Sequence, residues 1–101
     1  MTLYSENITM EKPIIEIEYC TKCRWLARAS WMAQELLSTF SNEIRGITLI
    51  PSNIAGIFEI RCGREIIWER GKKKGMPEIK PLKQKVRDII APDKDLGHID
   101  S

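Results

Sequence analysis

From Pro13 onward the chain alternates. In "IIEIEY" (14–19), Ile15, Ile17 and Tyr19 fall on one side and Glu16 and Glu18 on the other, the period of a strand with one wet face. After Cys20 the period changes. Apolar side chains at Leu26, Ala29, Met32, Ala33, Leu36, Leu37 and Phe40 draw one helical stripe in steps of three and four. No Gly or Pro interrupts residues 21–40, so a helix is predicted from about Thr21 to Phe40, with Gly46 placed to stop it. A short strand, "ITLI", leads to the break "PSNIAG". The run "IFEIRC" then sets Phe58, Ile60 and Cys62 against Ile57, Glu59 and Arg61; Gly63-Arg64 suits a two-residue hairpin loop, and "EIIWER" returns as the partner strand. Past the basic loop "GKKKG" and Met76-Pro77, a stripe of Ile79, Leu82, Val86, Ile89 and Ile90 predicts a second helix over 78–91. Pro81 is tolerable there only in the first turn, and Pro92 blocks continuation.

The predicted order is β-α-β-β-β-α. The first strand, helix and second strand can form a right-handed crossover with parallel strands, and the last two strands form an antiparallel hairpin. With two helices and a first strand that exposes two glutamates, both helices should cover one face of the sheet. The expected fold is a two-layer α/β sandwich on a four-stranded mixed sheet. Its domain spans 13–91, with residues 1–12 as a polar leader and 92–101 as a mobile tail. The open face should present Ile50, Ile57 and Ile67 among charged residues, a candidate surface for a homodimer or a protein partner, although scattered exposed isoleucines are ordinary.

Composition narrows the function classes. A chain of 101 residues with 43% hydrophobic and 30% charged residues suits one small globular domain. Arg70, Lys72, Lys73, Lys74, Lys80, Lys83, Lys85 and Arg87 make one end basic, but the net charge is only +2 and no nucleic-acid motif is present, so no nucleic-acid partner is expected. No apolar run reaches the roughly 20 residues of a membrane span. The N-terminal segment lacks the basic start and apolar core of a signal peptide. The expectation is no membrane partner and a cytoplasmic location, where thiols stay reduced.

That location bears on "EYCTKCRW" (18–25), which holds two of the three cysteines. A two-residue spacing in a reducing compartment reads as half a metal site or a redox pair. With a helix from Thr21, Cys20 stands at the N-cap and Cys23 one turn further in. There free N–H groups and the helix dipole stabilise a thiolate, and Lys22 and Arg24 add positive charge. A zinc site needs four ligands and would have to recruit both Cys62 and His98. Cys62 shares a face with Phe58 and Ile60 and reads as a small core residue. An inert structural pair is the other alternative. If the first strand is central, "PSNIAG" and the end of "GKKKGMP" reach the edge that carries the cysteines. The expected rim is then Thr21, Lys22, Ala55, Gly56, Met76 and Pro77. Trp25 is placed to border the motif, while Trp31 and Trp68 read as packing residues.

With "EYCTKCRW", "GIFEIRCGREIIWER" and "GMPEIKPLKQKVRDII" in this order, the chain resembles the selenoprotein W, T and H (Rdx) family of thioredoxin-like proteins over residues 13–91. It is similar to the branch with cysteine in place of selenocysteine, and "DLGHID" is similar to the ending of bacterial members. The resemblance implies a thioredoxin-like fold. It also implies a thiol–disulfide oxidoreductase with Cys20 and Cys23 as catalytic residues and protein thiols or glutathione as partners. No metal or organic cofactor is implied; glutathione enters only as a reductant. Selenocysteine-containing members carry that residue at the position of Cys23, whereas thioredoxins attack with the cysteine matching Cys20, so the attacking sulfur is left open. Thioredoxins also place a cis-proline before the third strand, where this chain has Ile54, Ala55 and Gly56. A different function on the same scaffold is a redox-responsive protein-binding module with little turnover.

Overall fold

The structure, a computed structural model, describes residues 12–71 and 75–97. The elements are β1 (Ile14–Cys20), α1 (Leu26–Phe40), β2 (Gly46–Ser52), β3 (Phe58–Cys62), β4 (Glu65–Glu69) and α2 (Ile79–Ile90), in the predicted order. The sheet runs β2-β1-β3-β4. β1 lies parallel to β2 and antiparallel to β3, and β3 and β4 form the antiparallel hairpin. Alternation puts Ile15, Ile17 and Tyr19 of β1 and Phe58 and Ile60 of β3 into the core. Ala29, Met32, Leu36 and Phe40 of α1 and Leu82 and Val86 of α2 close over them. Each of the larger side chains gains roughly 1.5–3 kcal/mol by burial. Glu16, Glu18, Glu59 and Arg61 interact on the opposite face. The result is the thioredoxin-like two-layer α/β sandwich with both helices on one side.

α1 starts five residues later than its stripe predicts, at Leu26 rather than Thr21. Residues 21–24 form a turn instead, because the chain must reverse from strand to helix before it can wind. Leu26 and Leu37, expected in the buried stripe, are 52% and 42% exposed. Gly46 opens β2 rather than capping α1, whose last turn is closed by the Glu43 and Ile44 N–H groups on the Phe40 carbonyl. In α2, Pro81 is the third residue, ahead of the first N–H that needs an intrahelical partner, Leu82 to Glu78.

Ile67 corrects the expected open face. Ile60 pairs with Trp68 and Arg61 with Ile66, leaving Ile67 as the extra residue of a β-bulge. The bulge turns Ile67 into the core at 4% exposure and leaves Ile66 outside at 50%. Lys94 and Leu96, expected to lie in the tail, are held against the domain. Leu96 is buried, Lys94 pairs with Glu43 at 3.3 Å, and Arg87 Nη1 donates to the Lys94 carbonyl at 3.2 Å. The expected leader apart from Lys12, the lysines 72–74 and the segment from His98 lie outside the described residues.

Candidate active site

The site is assembled where β1 ends. Cys20, its last residue, donates its N–H to the carbonyl of Ile57 at 2.9 Å. Thr21 donates from both its N–H and its hydroxyl to the carbonyl of Ser52, each at 3.2 Å. These bonds tie the motif to the end of β2 and to the loop that follows it. The turn closes with the Arg24 N–H on the Thr21 carbonyl at 3.1 Å, and Arg24 takes φ 62°. A left-handed, non-glycine residue costs about 1–2 kcal/mol, and it lets the chain turn from the sheet into α1 within five residues. Trp25 then occupies the N-cap with no side-chain cap bond.

Cys20 and Cys23 are joined in a disulfide, with Cα atoms 5.3 Å apart. Their environments differ. Cys20 is 2% exposed, while Cys23 in the turn is half-buried. This revises the sequence-based placement of both residues: neither is inside the helix, Cys20 belongs to the sheet, and Cys23 stands just ahead of the helix N-terminus. Any stabilisation of a thiolate by the free N–H groups of the first turn acts on Cys23 before Cys20.

The expected rim residues sit on two flanks of this turn. Ala55 and Gly56 line a crevice of about 350 Å³ together with Phe58, Glu59 and Arg70. Met76 and Pro77 line a groove of about 540 Å³ on the helical side, facing Trp25, Arg28, Trp31 and Arg70. Thr21 is fixed to Ser52, and Lys22 is exposed in the turn. Trp25 packs edge-on against Phe58 at 6.0 Å and 84°, and the Arg70 guanidinium lies 5.1 Å over its ring. Trp31 is not a packing residue, being 47% exposed along the groove. Arg28 carried no site expectation from the sequence, although its three-residue step from both Trp25 and Trp31 puts all three on neighbouring helical positions.

Cys62 lies apart from the pair. Its register partner is Ile15, at the far end of β1 from Cys20, about 16 Å along the strand at ~3.3 Å per residue. Burial, then the nearby Glu65 carboxylate, pushes the Cys62 thiol up from its ordinary value. A zinc site combining Cys62 with the pair is therefore geometrically closed. Among the described residues no cluster of three or more His, Cys, Asp or Glu side chains could hold a metal ion, and no helix is long and apolar enough to cross a membrane.

A sequence model of the Rdx family matches residues 14–88. A crystal structure of a protein from Bordetella parapertussis superposes with a TM-score of 0.75 at 48% identity, covering 79% of this chain and 100% of that one. The selenoprotein W-related protein from Vibrio cholerae superposes with a TM-score of 0.73 at 51% identity, covering 78% of this chain and 98% of that one. No curated protein of similar sequence is found.

Proposed function

The chain belongs to the Rdx family, and from that premise we propose that it is a thiol–disulfide oxidoreductase in which Cys23 attacks and Cys20 resolves. The observation that carries this reading is the asymmetry of the bonded pair: one sulfur is accessible in a turn ahead of a helix, and the other is sealed at the end of a central strand. In the reduced form, the Cys23 thiolate attacks one sulfur of a partner disulfide. The partner S–S bond breaks, a Cys23–partner S–S bond forms, and the departing partner sulfur takes up a proton. Cys20, losing its own proton, then attacks the Cys23 sulfur. The Cys20–Cys23 bond forms, the mixed disulfide breaks, and the second partner thiol leaves protonated. Two electrons and two protons have passed to the partner.

Glutathione, as two equivalents, or a protein dithiol reopens the pair. Protein disulfides are the proposed oxidants, and the cytoplasm, with its reducing poise, is the proposed compartment. No metal or organic cofactor enters the cycle. Burial of Cys20 favours this order of events, because a sealed sulfur cannot meet a bulky partner first but can meet Cys23 in the same turn.

The test is thiol-specific alkylation with intact mass and peptide mapping, across glutathione redox buffers and across pH. Reversible closure between Cys20 and Cys23, with Cys23 the faster thiol in the reduced protein, is expected. In a Cys20→Ser variant, mixed disulfides on Cys23 should persist. Two thiols that never pair in any buffer would sink the proposal, and faster labelling of Cys20 would reverse the assigned roles.

A further inference from the structure

Beside Cys23 the molecule holds a cationic, indole-lined groove that the disulfide exchange itself does not require. The lobe at Cys23, about 560 Å³, is lined by Arg24, Trp25, Arg28 and Trp31. Trp25, Arg28 and Trp31 continue into the second lobe, which extends to Arg70, Met76 and Pro77. Each lobe alone is within the roughly 300–1,000 Å³ that takes a whole small ligand. Taken together as one trough, two adjoining lobes that share Trp25, Arg28 and Trp31 beside the reactive turn suit an extended chain better than a single small molecule.

Its charge is largely uncompensated. Arg61, Lys83, Arg87 and Lys94 each meet a carboxylate. Arg24, Arg28 and Arg70 meet none among the described residues; Arg70 is instead stacked on Trp25. Among the described residues, the one acidic side chain lining the trough is Glu78. Three guanidinium groups against one carboxylate leave the wall positive. A guanidinium held on an indole face keeps its edge donors free for bidentate recognition of a carboxylate. The half-exposed Trp31 and the Met76 side chain supply apolar surface between the charges, which a purely electrostatic funnel would not need.

We propose that this trough binds the segment of a partner protein that flanks its disulfide, and that it selects an extended segment carrying Asp or Glu beside an apolar residue. The inference rests on the oxidoreductase reading and adds its substrate class. Arg28 and Arg70 take the carboxylates, Trp25 and Trp31 take the apolar side chain, and the partner's cystine is thereby delivered to Cys23.

The test uses matched fluorescein-labelled peptides with Glu, Gln or Lys flanks, in two forms. One form has Ser in place of Cys, for equilibrium binding to the oxidised protein by anisotropy. The other holds an internal disulfide, for reduction by the reduced protein. The Glu peptide should bind about tenfold or more tighter than the Lys peptide, as expected for a charge-assisted hydrogen bond gained or lost. Arg28→Glu should erase that preference, Trp31→Ala should weaken the Glu and Gln peptides alike, and added salt should narrow the gap. Equal affinities, or a preference untouched by Arg28→Glu, overturn the proposal even if both disulfides are reduced. Displacement of the Glu peptide by an equimolar amount of glutathione makes the trough a small-anion site and also overturns it. Charge-selective binding with no reduction of any peptide sustains the trough and instead removes the oxidoreductase reading.

Discussion

Glu18 and Glu59 stand directly opposite one another on β1 and β3, an arrangement of like charges that destabilises an antiparallel pair. Arg61 resolves it. Its Nη1 lies 3.1 Å from Glu18 and 3.2 Å from Glu59, while its Nε lies 3.0 Å from Glu16. Burial works against the charge on Arg61, but the hydrogen bonds it donates to the three carboxylates outweigh it and hold the guanidinium above its ordinary value. The solvent-facing side of the sheet is thus organised by one cation.

Replacing Arg61 with Leu should cost about 1–3 kcal/mol at low ionic strength, since three carboxylates are left facing each other. The loss should shrink in molar salt, where exposed charges are screened, and Arg61→Lys should recover only part of it because an ammonium cannot span the fork. Urea midpoints at two salt concentrations measure this. A deficit independent of salt would show that the packed stem of Arg61 matters and its charge does not.

The bulge in β4 makes neighbours unequal. Ile67→Ala, at a buried position, should destabilise by about 2–4 kcal/mol, transfer and cavity costs together. Ile66→Ala, half-exposed, should change stability by less than about 0.5 kcal/mol. Denaturation of the two variants side by side checks the register, because strict alternation would give the opposite ranking.

Lys83 is buried in α2 and reaches Glu35 of α1 at 3.0 Å. Glu35→Ala strands that ammonium and should cost about 1–2 kcal/mol, below the roughly 3–5 kcal/mol of a fully enclosed pair because Glu35 retains contact with water. Lys83→Met, which removes the charge and keeps the stem, should be close to neutral. The double variant Glu35→Ala/Lys83→Met should match Lys83→Met alone in chemical denaturation; additive losses would show that the two side chains act independently.

The raised thiol of Cys62 fixes the sign of a pH effect. Folding favours the neutral thiol, so its contribution is fully present below the ordinary thiol value of about 8.5. It is lost as pH rises through the higher folded value. Stability of the reduced protein between pH 8 and 10.5 should therefore fall more steeply than that of Cys62→Ala. Parallel curves would show that Cys62 ionises as freely folded as unfolded. At neutral pH, Cys62 should also alkylate more slowly than Cys23 after reduction, as expected of a desolvated thiol.

Periodicity alone carried the strand and helix order, the hairpin at Gly63 and the placement of a cysteine pair at a strand-to-helix junction, since side-chain alternation and helical stripes are local consequences of backbone geometry. The motifs "EYCTKCRW", "GIFEIRCGREIIWER" and "GMPEIKPLKQKVRDII", taken in order, carried the family resemblance over most of the chain. Where Cys20 and Cys23 sit relative to the helix was not legible: apolar spacing sets the face of a helix but not its first turn, and the left-handed Arg24 belongs to the turn that hands β1 over to α1. The inward turn of Ile67 depends on a one-residue register shift between two strands, which no single strand encodes. Arg28 looked like any exposed helical cation until Met76 and Pro77 arrived opposite it, more than forty residues later in the chain. Local pattern determined which elements form and which face of each is apolar. The difference between one sealed and one accessible sulfur, and the cationic trough beside them, came from long-range packing, because burial and proximity are properties of where elements meet.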